Sequence, residues 1–325
     1  MGKIDLSKYN IRTDLIIEND NILHEETEKD GITITKTKKN GNYITITYED
    51  ITNYEDREKI GKCLENSIKD ILKMNNIKEE ASCLIIGLGN SLSTPDSLGV
   101  KVLDGIIVTS HLFELSVITK GMRKVSCFSP GVKGNTGIET SDIIIALIKK
   151  IKPDFIIAID ALASRSIERI NKTIQLTDTG IHPGSGIGNN RKEISYHTTG
   201  IPVIAIGVPT VVLSSTIVYD TIEYLYKHIS YIKENESINK LSLHKTNYKN
   251  KLKNITLNDN DKENLLGLFG TLNDTDRRNL INEVLNNTEL NLIVTPTEID
   301  FLINKISNVI SSSINNALHR QITHY

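Results

Sequence analysis

Tryptophan is absent from this 325-residue chain, and Phe, Trp and Tyr together make up only 5% of it. Single-stranded nucleic acid binds by stacking its bases on aromatic faces, so no such platform is expected. No sign of charge dominates either: 38 Lys and Arg stand against 40 Asp and Glu, for a formal net charge of −2. A bulk field able to hold a phosphate backbone is therefore lacking, and direct nucleic-acid binding is not expected, the Lys-rich stretch 245–253 being the one local exception. Three cysteines (Cys63, Cys83 and Cys127) are too few and too scattered for a disulfide framework or a cysteine zinc site; free thiols in a reducing cytoplasm are expected. No apolar run approaches the roughly 18–20 residues of a membrane helix. The first 20 residues have no continuous apolar core of the signal-peptide kind. A cytoplasmic protein without membrane contact is the expectation.

Recognisable hydrolase signatures are missing too. HExxH, CxxC, a Walker loop and a Gly-x-Ser-x-Gly elbow do not occur in a plausible frame. What is present is a change of texture along the chain. From Gly31, Ile alternates with Thr on both sides of Lys39-Asn40-Gly41, which predicts an N-terminal β-hairpin. Residues 54–76 carry helical spacing in Ile60, Cys63, Leu64, Ile68, Ile71 and Leu72. Then come three short continuous apolar runs, Cys83–Gly87, Phe155–Asp160 and Val203–Gly207. Such runs suit strands buried on both faces of a parallel sheet. Helical patterns lie between and after them, at 141–151 and 211–232. The prediction is an α/β fold: a mostly parallel central sheet with flanking helices, an N-terminal hairpin and C-terminal helices. Those C-terminal patterns span about 262–287 and 296–320, the second with a capping box from Thr295 and Glu298 and Pro296 in its first turn. The polar, Lys/Asn-rich segment 233–262 reads as a surface insertion.

Ligands of a parallel sheet sit beyond the C-terminal ends of its strands. Asp160 ends the run FIIAID, and Asp96 lies in the loop after Cys83–Gly87. Two carboxylates brought close share one proton, so one acts as general base on water and the other as general acid. Helix capping by either aspartate is the structural alternative. Backbone N–H groups around Gly87, Gly89 and Asn90, or around Gly184 and Gly186 in the glycine-dense stretch 177–191, are candidates for an oxyanion site. Ser164 and Arg165, one turn past Asp160, are candidate substrate contacts. His182 is a candidate ligand in a metal-assisted version with Asp96 and Asp160, or else a packed histidine. A third reading is a binding module that does no chemistry.

Five blocks carry a resemblance: GLGNSLSTPDSLG (87–99), SPGVKGNTGIETSDII (129–144), IDALASRSIERINKTIQLTDTGIHPGSGIGNNRKEIS (159–195), IPVIAIGVPTVV (201–212) and VTPTEID (294–300). Together they resemble the germination proteases of endospore-forming bacteria, over most of the chain from IRTDLIIE (11–18) to NNALH (315–319). The resemblance implies an atypical aspartic endopeptidase, similar in fold to hydrogenase-maturation endopeptidases, that needs no cofactor or metal. It implies Asp96 and Asp160 as the catalytic pair, small acid-soluble spore proteins as substrates, a homotetramer, and a place in the forespore or spore core. It also implies a self-processing zymogen: residues 1–14 would be a propeptide, cut between Asp14 and Leu15, ahead of a single peptidase domain 15–325. Ile16 stands where the family tends to have Ala, Ser91-Leu92-Ser93 replaces an aromatic-containing stretch, and Leu213 replaces a smaller or acidic residue.

Overall fold

The computed structural model describes residues 14–16, 24–117, 121–183, 192–234, 252, 255 and 259–320. The chain divides into two compact units, 10–211 with 295–325, and 212–294 with the first nine residues.

The larger unit is built on one sheet. Its strands are β1 (His24–Lys29), β2 (Ile32–Lys38), β3 (Asn42–Thr47), β4 (Cys83–Gly87), β5 (Val125–Phe128), β6 (Phe155–Ser164), β7 (Thr173–Thr177) and β8 (Val203–Leu213), in the order β1-β2-β3-β7-β8-β6-β4-β5. β4 runs parallel to both β5 and β6. β6 and β8 begin side by side, where the Ile156 N–H donates to the Pro202 carbonyl over 2.9 Å, so they too run in one direction. The predicted hairpin is β2 and β3, and it joins this sheet through antiparallel pairing of β3 with β7. The predicted α/β architecture, with its mostly parallel inner strands, flanking helices, N-terminal hairpin and C-terminal helices, is the one found.

Helices cover both faces. Tyr54–Met74 is capped by Asn53, whose side chain accepts from the Glu55 N–H, and it carries acidic residues in its first turn and Lys73 in its last. Its buried stripe (Ile60, Leu64, Ile68, Ile71) and that of the C-terminal helix Ile299–Leu318 meet Ile157 and Ile159 of β6 in one core. On the other face, Ile144 and Ile148 of the helix Thr140–Ile151 meet Ile156, Ala158 and Leu162. The odd and even positions of β6 thus serve two different cores, which is why its sequence reads as a continuous apolar run.

Three expectations about these elements need correction. The helix predicted from residue 211 starts only at Ser214, because Val211, Val212 and Leu213 extend β8. β-Branched residues buried on both sides prefer the strand. The run FIIAID does not stop at Asp160; β6 continues to Ser164. Thr295 caps no helix: its Oγ1 donates to the Thr210 carbonyl over 2.9 Å, and Ile299–Leu318 starts without a side-chain cap. Three strands of this sheet, β1, β5 and β7, had no prediction at all. The insertion predicted near 233–262 falls mostly outside the described residues.

The smaller unit is helical: Ser214–Glu234, Asp259–Leu266, Leu268–Thr271 and Asp274–Asn287, with β9 (Ile293–Val294) antiparallel to Val212 and Leu213. The single pattern predicted over 262–287 is broken at Gly267, which has a positive φ of 54°. Arg277 is buried here, 3.0 Å from Glu223 Oε1 and paired also with Asp274. All three cysteines are free thiols, and burial raises the pKa of each.

Candidate active site

Backbone packing brings together the two segments that carry Asp96 and Asp160. β4 pairs with β6 up to Gly87 beside Ile159, the residue before Asp160. The chain then leaves β4 with the Leu88 N–H donating to the Ile159 carbonyl over 2.8 Å. It closes a tight loop at the short 3-10 turn Thr94–Asp96, where the Asn90 N–H donates to the Asp96 carbonyl over 3.0 Å. Two glycines make this closure possible. A Cβ on Gly89, whose φ is +107°, would stand 1.9 Å from the Asp96 carbonyl oxygen and 3.2 Å from Asp96 Oδ1. A Cβ on Gly99 would stand 2.4 Å from the Ile159 and Leu88 carbonyl oxygens. Only glycine permits such approaches. The Asp96 turn is thereby fastened to the backbone next to Asp160, which is 4% exposed and accepts the Ala161 N–H on Oδ1. Asp96 is half-buried and does not cap the following helix, whose N-cap is Ser97.

Two further contacts hold the loop, and the sequence reading had not singled out their donors. Thr210 Oγ1 on β8 donates to the Pro95 carbonyl over 2.7 Å, and Asn135 Nδ2 donates to Asn90 Oδ1 over 3.1 Å. The only advance signal for Thr210 is a hydroxyl within a strand otherwise almost wholly apolar. Of the amides proposed for an oxyanion, those of Leu88 and Asn90 are committed within the fold, as given above. Gly184 and Gly186 lie outside the described residues. The stretch that contains them is closed at its base by Ile181 and Ile194, which exchange two backbone hydrogen bonds of 2.9 and 2.8 Å. His182 Nε2 stands there 3.2 Å from Glu193 Oε2. Among the described residues, no group of three or more His, Cys, Asp and Glu is arranged to hold a metal ion. Ser164 is used locally, its Oγ donating to the Ser166 carbonyl over 2.6 Å.

The segment Asp14-Leu15-Ile16 is docked on the same face of the sheet. Asp14 has no exposed side-chain surface; its Oδ2 accepts the Arg165 N–H over 3.0 Å, and its Oδ1 lies 3.2 Å from Arg169 Nε. Arg165 therefore contributes its backbone here. Gln175, fully buried on β7, holds the next two residues by their backbones. Its Oε1 accepts the Leu15 N–H over 2.9 Å, and its Nε2 donates to the Ile16 carbonyl over 2.7 Å. Leu15 packs against the cluster containing Ala158 and Leu162, and Ile16 is buried. Asp160 faces this side by strand alternation with Ala158 and Leu162. In a parallel ladder the Ile156 bond to the Pro202 carbonyl sets Ile156 beside Val203, so four residues further along Asp160 stands beside Gly207, which pairs in turn with Gln175. Two strand spacings, about 10 Å, thus separate the backbones of Asp160 and Gln175. Arg169 and Gln175 had gone unremarked in the sequence; a Gln inside the run Thr173–Thr177, buried at every position, was their one visible signal.

No described helix is long and apolar enough to cross a membrane. Among solved structures, the [NiFe] hydrogenase maturation protease HycI of Thermococcus kodakarensis overlaps 44% of this chain and 80% of its own, at 18% identity and a TM-score of 0.29. Sequence comparison reaches much further. The germination protease of Bacillus cereus strain AH187 is 46% identical over 353 aligned positions, covering 98% of this chain and 96% of that protein. That of Bacillus mycoides strain KBAB4 is 45% identical with the same coverage. A family profile described as germination protease matches residues 8–325, which include the Asp96 loop, Asp160 and the docked Asp14 segment. By that match and those relatives, the chain is a peptidase that belongs to the germination protease family.

Proposed function

We propose that this chain is an aspartic-type endopeptidase of the spore core that degrades small acid-soluble spore proteins during germination, with Asp96 and Asp160 as its catalytic pair. The observation that carries the reading is the convergence of both aspartate-bearing segments on the Ile159 carbonyl, reached by Leu88 N–H and crowded by Gly99. In this mechanism one aspartate is ionised and takes a proton from water as the water attacks the scissile carbonyl carbon. The other, protonated, donates a hydrogen bond to the carbonyl oxygen; a proton then passes to the amine as the C–N bond breaks. Each such role is worth roughly 10²–10⁴-fold in rate. The two titrate as a pair. No cofactor enters, and His182, with Nε2 turned to Glu193, stays outside the chemistry.

Residues 1–14 act as a propeptide in this reading, removed by a cut between Asp14 and Leu15, ahead of the mature peptidase 15–325. The docking of Asp14-Leu15-Ile16 over the face that carries Asp160 supports an uncut chain whose own segment competes with substrate. A homotetramer completes the reading; the exposed Leu268, Leu290 and Leu292 of the smaller unit supply apolar surface for assembly.

Incubation of purified spore proteins with the full chain, a form starting at Leu15, and that form carrying Asp96→Asn or Asp160→Asn, read by mass spectrometry, tests all of this. Fragments are expected from the Leu15 form alone. Undiminished cleavage by either Asn variant would remove the acid pair from the mechanism.

A further inference from the structure

The contacts around residues 14–16 are unusual for a segment that only needs to be stored. Asp14 is a carboxylate with no exposed side-chain surface, held by one backbone N–H and a guanidinium. Withdrawing a charge from water is expensive unless paired partners await it, so this pocket is selective for a negative side chain. Gln175 behaves differently. Toward the segment its carboxamide bonds backbone atoms of Leu15 and Ile16, as an acceptor for one N–H and a donor for one carbonyl. Backbone bonds of this kind carry no side-chain information, so they fit any extended segment. Between them, the Leu15 side chain enters the apolar cluster that contains Leu162.

The state left behind when the segment departs gives the direction of the inference. Gln175 has no exposed surface, and departure of residues 15 and 16 takes away both of those bonds and leaves its Nε2 donating to Thr45 Oγ1 over 3.3 Å. The acid pocket loses the carboxylate that the Arg165 N–H and Arg169 had held. Buried polar groups stripped of partners favour any ligand that restores them. A cut between Asp14 and Leu15 also divides the contacts: the acidic half leaves with the leader, and the pocket built for it is vacated first.

We propose that Arg169, with the Arg165 N–H, and Gln175 form the specificity site of the enzyme, which Asp14-Leu15-Ile16 fills in the uncut chain. The site takes in trans a polypeptide segment with an acidic residue followed by two aliphatic residues. Arg169 reads the acid, Gln175 reads the two backbones that follow, and the cluster around Leu162 takes the first aliphatic side chain. The proposal rests on the peptidase reading above for its consequence, although not for its binding step.

The test uses the full chain with Asp14→Ala, which empties the pocket, and fluorescent peptides of sequence Thr-X-Leu-Ile-Ile-Glu with X as Asp, Asn or Lys. Binding is followed by anisotropy in the Asp160→Asn background, and cleavage with Asp160 intact. The Asp peptide should bind roughly 10–100-fold more tightly than the Asn peptide, the scale of hydrogen bonds to charged groups, and the gap should appear in KM more than in kcat. In Arg169→Glu the order should invert, with the Lys peptide bound best; Arg169→Lys should keep the order with a smaller gap. That inversion separates recognition from a general loss of structure, because a misfolded variant would bind no peptide. Binding that ranks as proposed without any cleavage would support the site and sink the peptidase mechanism. Equal binding of the three peptides, an unchanged ranking in Arg169→Glu, or no binding by the Asp14→Ala chain would each overturn the proposal.

Discussion

Replacing Gly89 with alanine tests whether backbone crowding positions Asp96. Two penalties combine at this residue. Its φ of +107° is unfavourable for any residue with a Cβ, which costs about 1–2 kcal/mol on the scale of left-handed backbone. The new methyl would also stand 1.9 Å from the Asp96 carbonyl oxygen. That atom cannot swing aside without moving the turn that carries Asp96, so overpacking adds about 1–3 kcal/mol. The sum, about 2–5 kcal/mol, is a large part of the ~5–15 kcal/mol that holds a typical domain folded. Two other glycines separate the terms. Gly137 has a positive φ of 71° with open space around it, and Gly134 has open space and no such φ. In urea unfolding, Gly134→Ala should be neutral or slightly stabilising, Gly137→Ala should lose about 1 kcal/mol, and Gly89→Ala should lose about 1–3 kcal/mol more than Gly137→Ala. Under conditions where all three are folded, only Gly89→Ala should lose peptidase rate, by roughly 10²-fold, the effect of an ångström of misplacement. If Gly89→Ala matches Gly137→Ala in both measurements, crowding does not set the position of Asp96.

Thr210→Val should lower kcat with little change in KM, because it removes the donor to the Pro95 carbonyl and loosens the same turn; stability should fall by about 1–2 kcal/mol, and an unaltered kcat would make this bond dispensable. Burial lowers the pKa of His319, whose Nδ1 accepts the Arg123 N–H beside the Arg123 charge. Its folded pKa lies below the unfolded one, so the unfolded chain gains the proton first. The melting temperature should therefore fall as pH drops below about 6.5 and level off below the folded pKa, and His319→Gln should flatten that slope. Dialysis of the form starting at Leu15 against a chelator should leave its rate unchanged; loss that returns with one divalent ion would revive the metal-assisted reading.

The fold was legible where burial imposed one period on the residues. β4, β6 and the first part of β8 are apolar on both sides, and the helix Tyr54–Met74 carries a clean stripe. β1 was illegible because all six of its residues are exposed, leaving no alternation to read. Even so, Asp30-Gly31 between β1 and β2, with φ of 55° and 76°, is a strong hairpin signal that was available. β8 was cut short because Val211-Val212-Leu213 fits a helix start as well as a strand end until pairing decides. Asp96 and Asp160 could be picked from strand-end logic. Arg169, Gln175 and Thr210 could not, because their partners Asp14, Ile16 and Pro95 lie 155, 159 and 115 positions away along the chain.

The all-polar β1 has a consequence of its own. Among the described residues it forms one margin of the sheet, pairing with β2 alone, and such an edge is a template on which a second strand can grow. Glu25, Glu26 and Glu28 line that margin with negative charge. A second copy arriving edge to edge would set carboxylate against carboxylate, so the strand guards against fibrous association at high protein concentration. Replacing the three glutamates with threonine would keep the β-propensity and remove that protection.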